Sequence, residues 1–156
     1  NLDDLILSQD IVFVGGGNTK SMLAVWKEWK LDKLLHKAYL NGKILAGVSA
    51  GSICWFNKGV TDSWASNLNL IDCLGFIDEH SCPHYDSEIN RRPTVHDFIK
   101  NNKIDSCYVS EDGSALHFKD GQLYQSVAFY KGKKSYLVKQ INNEIIEEEV
   151  SGIEII

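Results

Sequence analysis

The sequence contains no apolar run approaching the roughly 20 residues that a membrane-spanning helix needs. It also lacks a basic excess, because 16 Lys and Arg residues are outnumbered by 21 Asp and Glu residues and the net charge is −5. Nucleic acids and anionic membranes repel a chain of this charge. The two absences argue against a membrane protein and against a nucleic-acid-binding protein.

Paired cysteines and a basic leader are missing as well. The four cysteines show no short paired spacing, and the first segment, "NLDDLILSQD", is acidic where a secretory signal would be basic. Reduced thiols are then the default, so we expect a cytoplasmic protein. Residue 1 is Asn rather than Met, and we therefore expect the chain to be part of a longer one.

The order of predicted elements indicates a single α/β domain over residues 1–156. "IVFV" and "KILAGVS" are typical of buried strands. Residues 20–42 have the apolar spacing of a helix that stops near Gly42, and "AGSICWF" is predicted to begin a second, buried helix. Strands alternating with helices imply right-handed parallel crossovers. Residues 57–70 are polar and without periodicity, which predicts a loop.

The second half of the chain is richer in strand patterns. "RRPTVHDFIKNN" predicts an amphipathic helix with Pro93 near its start. The following segments predict C-terminal β-hairpins with turns at Asp120-Gly121 and at Lys131-Gly132. The acidic tail, "NNEIIEEEVSGIEII", fits either an edge strand or a partly loose segment.

A G-x-S-x-G pattern surrounds Ser49 in "KILAGVSAGSICWF". A nucleophilic serine on a strand-to-helix turn needs glycines beside it, because larger side chains would clash on so tight a bend. The backbone N–H groups that follow are suited to hold a developing oxyanion. A glycine-rich bend also matches the five letters, but the position of Ser49 between a predicted strand and a predicted helix favours a nucleophile.

A serine nucleophile needs a base. His36 and His96 lie within predicted helices and His117 lies within a predicted strand, where packing or surface roles are common. His80 and His84 lie in an irregular segment after a strand, where functional residues concentrate. This placement favours the latter two, although a loop histidine bonded only to backbone fits equally well.

An acid must orient the imidazole. Asp112 and Glu111 lie in "SEDGS" at the end of a predicted strand, and Asp62 lies in the loop "VTDS". An ordinary Asp-Gly turn is the plain alternative for the first site. The residues alone leave these three carboxylates open.

The stretch "GGGNT", residues 15–19, is suited to bring a backbone N–H close to a bound group. It is not a dinucleotide fingerprint, since position 20 is Lys, and it is not a P-loop, since no G-K-[ST] follows. We interpret it as the source of a second oxyanion donor. His80, Cys82 and His84 alternate along the chain but lack an evident fourth ligand, so we expect neither a metal nor a cofactor.

Taken together, "VFVGGGNT", "GVSAGSICWF", "CPHYD", "RRP" and "EDGSALHF" resemble the peptidase E family of serine dipeptidases, whose relatives include cyanophycinase. The resemblance covers essentially the whole chain in the same order. It implies a Rossmann-like parallel sheet with flanking helices, similar to the class I glutamine amidotransferases. It also implies a serine-type peptidase acting on small peptides, such as dipeptides with N-terminal Asp.

The resemblance also implies the site residues. Ser49 would be the nucleophile, His84 the general base and Asp112 the acid, with Glu111 and Asp62 as alternatives. Gly17 and Ala50 would donate oxyanion hydrogen bonds, and Asn18 would lie at the edge of the substrate. Arg92, or its neighbour Arg91, would bind the substrate carboxylate, unless both are surface charges at a helix start.

Family members normally carry two or three further strands before "VFVGGG", whereas about ten residues precede it here. Without those strands a face or an edge of the parallel sheet would be exposed, which predicts a homodimer or a complementing chain. Two other hypotheses stay open. One is an α/β-hydrolase-type esterase with His117 as the base, and the other is a catalytically inactive homologue that acts as a binding subunit.

Overall fold

The computed structural model describes residues 1–155. It contains five helices and eleven strands, which alternate in the first half of the chain and are mainly strands in the second. The helices are α1 (Leu2–Leu7), α2 (Thr19–Glu28), α3 (Leu31–Leu40), α4 (Ala50–Ile53) and α5 (Arg91–Lys100). The strands are β1 (Ile11–Val14), β2 (Ile44–Gly47), β3 (Phe56–Thr61), β4 (Asn69–Asp72), β5 (Ile77–Cys82), β6 (Ser106–Ser110), β7 (Ser114–Lys119), β8 (Gln122–Ala128), β9 (Ser135–Ile141), β10 (Glu144–Glu149) and β11 (Gly152–Glu154).

The strands form three sheets. β1 and β2 make a parallel pair, six strands follow the order β10-β9-β6-β5-β3-β4, and β11-β8-β7 make the third sheet. Within the six-stranded sheet β3, β5 and β6 are parallel, whereas β4, β9 and β10 run antiparallel to their neighbours. The α/β class is confirmed, but the sheet is mixed and divided rather than one continuous parallel sheet. The likeness to glutamine amidotransferases stays a prediction.

The segment predicted as one helix over residues 20–42 is two helices. Lys30 adopts a left-handed backbone conformation, with φ of 58°, between α2 and α3. The break turns the chain so that both helices bury an apolar face in the same cluster, through Leu23 on α2 and Leu35 on α3. Packing therefore overrides the continuous helical spacing.

The predicted loop over residues 57–70 is also wrong, because only residues 62–68 lie between strands. The helix after Ser49 is a single turn of four residues, and β3 begins at Phe56. The polar side chains of β3 have partners on the neighbouring strands: Asn57 donates to Asp78 and Lys58 pairs with Asp72. Cross-strand partners of this kind give a strand without apolar alternation.

The C-terminal hairpins are confirmed in part. Asp120-Gly121 is the turn between the antiparallel strands β7 and β8, and both residues have positive φ, which that turn requires. Lys131-Gly132 is not a hairpin turn, because β8 and β9 lie in different sheets and β9 pairs with β6 instead. The acidic tail supplies the edge strand β10, followed by β11, which pairs with β8 in parallel.

Two apolar clusters hold these layers together. One lies between α5 and the six-stranded sheet, with Val60, Val95 and Val109 fully buried. The other lies between the helices α2 and α3 and the pair β1–β2, and contains Trp55 and Phe56. No helix among residues 1–155 is both long and apolar enough to span a bilayer.

The opposite face of the pair β1–β2 is open. Ile11, Phe13 and Ile44 are each more than half exposed, and neither outer edge of the pair is hydrogen-bonded to another strand within the part of the chain that the structure describes. Parallel sheets usually bury both faces. The face is thus an apolar surface of a kind that isolated chains seldom present.

The core between α5 and the large sheet can be tested by a matched pair of isoleucines. Ile99 on α5 is 2% exposed, whereas Ile89 just before α5 is 87% exposed. Ile99→Ala should lower the free energy of unfolding by about 2–5 kcal/mol, because it leaves a cavity. Ile89→Ala should change it by less than about 0.5 kcal/mol. Urea denaturation measures both, and equal losses would contradict the packing described here.

Candidate active site

Ser49 stands on the bend between β2 and α4. Its backbone has φ of 56° and ψ of −118°, a conformation in which residues other than glycine are strained. The strain is held in place by the hydroxyl of Ser52, which donates a hydrogen bond to the Ser49 carbonyl at 2.7 Å.

The glycines beside Ser49 are required by contact with β1. A Cβ on Gly47 would collide with the Gly51 carbonyl and lie 2.7 Å from the Val14 carbonyl oxygen, and one on Gly51 would collide with the Val14 carbonyl and lie 2.7 Å from the Gly15 carbonyl oxygen. Real side chains do not approach backbone oxygens so closely. The G-x-S-x-G pattern therefore lets β1, β2 and the turn after them pack backbone against backbone.

His84 lies directly against Ser49. It follows β5 and Pro83, and its Nε2 is 2.9 Å from the Ser49 Oγ. Its own φ is 56°, so both partners of this hydrogen bond have left-handed backbones. The backbone of the next residue, Tyr85, is fixed by a hydrogen bond to the Ser110 carbonyl on β6.

Asp112 completes a hydrogen-bonded chain of three side chains. Its Oδ1 is 2.7 Å from His84 Nδ1. A neutral imidazole satisfies both bonds only if Nδ1–H donates to Asp112 and Nε2 accepts the Ser49 hydroxyl proton. The pKa of the Asp112 carboxyl is lowered, chiefly by a hydrogen bond from Ser87. Partial burial opposes this shift, whereas the hydrogen bond and the charge of His84 add to it.

The two alternative carboxylates are placed elsewhere. Glu111 accepts a hydrogen bond from the backbone N–H of Lys134 and one from the Tyr136 hydroxyl. Asp62 lies exposed in the 62–68 loop, and the two ring nitrogens of His84 are bonded to Asp112 and Ser49 instead. Of the three candidates, Asp112 is the one whose carboxylate meets the imidazole.

The glycine-rich stretch borders Ser49. A Cβ on Gly16 would be 3.4 Å from the Ser49 Cβ and 3.9 Å from its Oγ. The N–H of Gly17 makes no backbone hydrogen bond among residues 1–155, and Ala50 opens α4, where the first N–H groups lack intrahelical acceptors. The Ala50 N–H directly follows Ser49, and the Gly17 N–H follows the glycine that contacts Ser49, so the two oxyanion donors remain a prediction that these positions allow. Gly16, which the sequence did not single out, is the glycine of this stretch at which a Cβ would meet Ser49.

Asn18 fixes the loop opposite the glycine turn. Its Oδ1 caps α2 by accepting from Ser21 N–H at 2.9 Å, and its Nδ2 donates to the Ser63 carbonyl at 2.6 Å. The Ser63 hydroxyl in turn accepts from Thr19 N–H. Both polar atoms of the Asn18 side chain are therefore engaged, one in capping α2 and one in holding the 62–68 loop. Its place at the edge of the substrate stays a prediction.

The arginines are engaged within the protein. Arg91 is 5% exposed and bonds the Val60 carbonyl and Glu88. Arg92 is exposed, but its Nη1 pairs with Glu147 at 2.8 Å and its guanidinium stacks on the ring of Tyr85. A substrate carboxylate would have to compete with Glu147 for Arg92.

Three residues after His84 contribute contacts that the sequence did not reveal. The Tyr85 hydroxyl donates to Glu147 at 2.6 Å, Asp86 accepts from the Asp112 N–H at 2.8 Å, and Ser87 lies near enough to Asp112 to lower the pKa of its carboxyl. The three residues follow His84 directly in "PHYDS", but their partners are distant in sequence, so the sequence alone does not indicate these contacts.

The remaining candidates are not joined to this chain. His117 lies exposed on β7 against the ring of Tyr124. His80 lies on β5, where its Nδ1 is buried without a hydrogen-bond partner among the residues up to 155. No group of three His, Cys, Asp or Glu side chains suited to a metal occurs between residues 1 and 155.

Comparison with known proteins decides the family. The model of peptidase family S51 matches residues 1–126. The chain belongs to peptidase family S51, the peptidase E family. The family predicted from the five motifs is thereby confirmed.

The S51 chain is similar to proteins named as uncharacterized peptidases. It is 47% identical over 147 residues to YgaJ of Bacillus subtilis (strain 168), covering 94% of this chain and 64% of that protein. It is 32% identical over 84 residues to Lmo0363 of Listeria monocytogenes serovar 1/2a, covering 50% of this chain and 41% of that protein. The S51 chain thus spans less than two thirds of the length of these relatives.

The fold of the S51 chain also has a solved counterpart. A crystal structure of a "Putative Peptidase E Protein" from Listeria monocytogenes EGD-e aligns with a TM-score of 0.55 at 19% identity. The alignment covers 96% of this chain and 64% of that one. At this level of identity the likeness is one of fold.

The steric role of the elbow glycines in this S51 chain gives a second test. Gly51→Ala should lower the free energy of unfolding by about 1–3 kcal/mol or more, because the new methyl group meets the backbone of β1. Gly15→Ala is the control, since a Cβ there meets no atom of the described residues, 1–155, within 4 Å. Thermal unfolding followed by circular dichroism measures both, and a Gly51→Ala protein as stable as Gly15→Ala would contradict the close packing.

The carboxylate of Asp112 should make stability depend on pH. Its pKa is lowered in the folded state, so the unfolded state takes up a proton first as the pH falls below about 4. The stabilisation is therefore complete above that pH and is lost as the pH falls towards the lowered pKa.

Asp112→Asn should flatten the fall in the free energy of unfolding between pH 5 and 3, measured by urea denaturation in steps of about half a pH unit. Asp105→Asn, at an exposed position before β6, is the control and should follow the wild-type curve. Parallel curves for wild type and Asp112→Asn would show that the folded state does not stabilise this carboxylate.

Proposed function

We propose that the protein is a serine-type peptidase that hydrolyses small peptides. The observation that carries the proposal is the chain of hydrogen bonds from Ser49 Oγ through His84 to Asp112, at 2.9 and 2.7 Å. Nucleophile, base and orienting acid within hydrogen-bond reach form the constellation that acyl transfer requires. Membership of a peptidase family gives independent support.

In this mechanism the Ser49 hydroxyl attacks the peptide carbonyl while its proton passes to His84 Nε2. Asp112 holds the ring and stabilises the imidazolium that forms. The N–H groups of Ala50 and Gly17 bind the oxyanion, after which the imidazolium protonates the leaving amine. A water molecule, deprotonated by His84, then releases the acyl group and restores the Ser49 hydroxyl.

The substrate we propose first is a dipeptide with N-terminal Asp, which rests on the resemblance to peptidase E. Arg92 is the proposed partner of the substrate side-chain carboxylate, and it would exchange Glu147 for the substrate. The open apolar face of β1–β2 supports a second proposal, that a further polypeptide, either a second copy or a complementing chain, covers this face in the active protein. We also propose a cytoplasmic setting, where the four cysteines stay reduced.

The hypothesis of an α/β-hydrolase-type esterase is not favoured, because it needs His117 as the base and this residue lies beside Tyr124 rather than Ser49. A purely binding role is not favoured either. Two strained backbones at Ser49 and His84, held with their side chains in hydrogen-bond contact, have a physical purpose in catalysis that a carboxylate-binding loop does not need.

Histidine substitutions separate these hypotheses. Ser49→Ala and His84→Ala should each lower kcat/KM on the dipeptide Asp-Leu by about 10⁴-fold or more, because each removes a group that acts in the transition state. His117→Ala should leave kcat/KM within about twofold, and it controls for the loss of an imidazole. Ninhydrin-based or chromatographic release of leucine measures all three. Full turnover in His84→Ala together with loss in His117→Ala would establish the esterase-type arrangement instead.

A further inference from the structure

Asp86 joins the segment that carries the proposed base to the turn that carries the proposed acid. It lies two residues after His84, and its Oδ1 accepts the backbone N–H of Asp112 at 2.8 Å. The proposed base and acid are therefore connected twice, once by their own hydrogen bond and once through Asp86. The second connection acts on the backbone of Asp112 and leaves its carboxylate free to meet His84.

The other oxygen of Asp86 is held by a lysine. Its Oδ2 accepts from Lys133 Nζ at 2.5 Å, and the carboxylate side chain is 24% exposed. Partial burial raises the pKa of Asp86, but the hydrogen bonds from Lys133 and from the Asp112 N–H outweigh it and the pKa is lowered. Asp86 is thus ionised at neutral pH, with both oxygens occupied by donors from the strand-end turns around residues 112 and 133.

The turn around Asp112 is closed by a hydrogen bond from the Ser114 N–H to the Glu111 carbonyl, and within this turn Asp86 holds the N–H of Asp112 itself. The Asp112 side chain is 50% exposed, and its neighbour Gly113 has φ of 89°, a conformation with little steric restraint of its own for glycine. A mobile turn would let the carboxylate drift from the imidazole, and a misplacement of about 1 Å at a reacting group costs up to about 10²-fold in rate.

We propose that Asp86 is a positioning residue whose Oδ1, by accepting the Asp112 N–H, sets the distance between Asp112 and His84. The role rests on the proposed peptidase function, because it sharpens the geometry of the same site. It requires an acceptor at this position and does not require the negative charge. Lys133 orients the carboxylate but does not touch the acid.

Two conservative substitutions at Asp86 separate the position of the acceptor from the charge. Asp86→Asn, made together with Lys133→Met so that no ammonium competes for the amide oxygen, keeps a carbonyl oxygen where Oδ1 lies and removes the charge. Asp86→Glu keeps the charge and the pairing with Lys133 but moves the oxygens by one methylene. We expect kcat within about threefold of wild type for Asp86→Asn and a loss of about 10–100-fold for Asp86→Glu, with KM within about twofold in both. Circular dichroism and thermal unfolding check that both variants are folded.

A second readout is independent of turnover. The proton between His84 Nδ1 and Asp112 should give a low-field proton NMR resonance that disappears in His84→Ala. It should persist in Asp86→Asn and broaden or vanish in Asp86→Glu. Comparable kcat and an unchanged resonance in both variants would overturn the positioning role, as would a loss confined to Asp86→Asn, which would assign the effect to charge.

Failure of the proposed function has a different signature. If the wild-type protein releases no amino acid, or if Ser49→Ala retains its turnover, the peptidase proposal fails while the NMR comparison of Asp86→Asn with Asp86→Glu still decides the positioning role. If Ser49→Ala is inactive and both Asp86 variants match wild type in kcat and resonance, the positioning role alone is refuted.

Discussion

The close approach of two backbones, with no side chain between them, underlies the rest of this structure. The end of β1 contacts Gly47 and Gly51 through the carbonyls of Val14 and Gly15, at distances that exclude a Cβ. This contact sets β1 and β2 side by side and forces the chain to bend sharply at Ser49. The hydroxyl is thereby presented at the carboxyl end of β2, beside the turn that follows β1.

His84 and Asp112 come together because the strands that precede them, β5 and β6, are parallel neighbours. β5 ends just before Pro83 and His84, and β6 ends just before Glu111 and Asp112. Carboxyl ends of parallel strands meet at one edge, which is where open α/β sheets hold their ligands. Two residues with left-handed backbones, Ser49 and His84, then face each other at 2.9 Å. Strain at both partners of one hydrogen bond is sustained by the packing around them and indicates a functional constraint.

The parts of this arrangement that are local in sequence were predictable. The elbow glycines follow from the sterics of a tight bend, and the strands on either side follow from short β-branched runs. The break at Lys30 was not predictable, because lysine carries no signal for a left-handed conformation and the break serves packing against Trp55. The strand β3 looked like a loop because its polar residues find partners, such as Asp72 and Asp78, that only the folded sheet brings near. The partners of Asp86 and Arg92 escaped prediction for the same reason, since Asp112 lies 26 residues from Asp86 and Glu147 lies 55 from Arg92.

The claim on which the account depends is that Ser49 is made reactive by the imidazole that touches it. Covalent modification by a peptidyl phosphonate, followed by mass-spectrometric mapping of the modified residue, tests this most directly, because such reagents react with activated serines and not with ordinary ones. The account predicts a single adduct on Ser49 that forms rapidly in the wild-type protein and at least about 10²-fold more slowly in His84→Ala. Failure of Ser49 to react, or labelling at the same rate without His84, would contradict it.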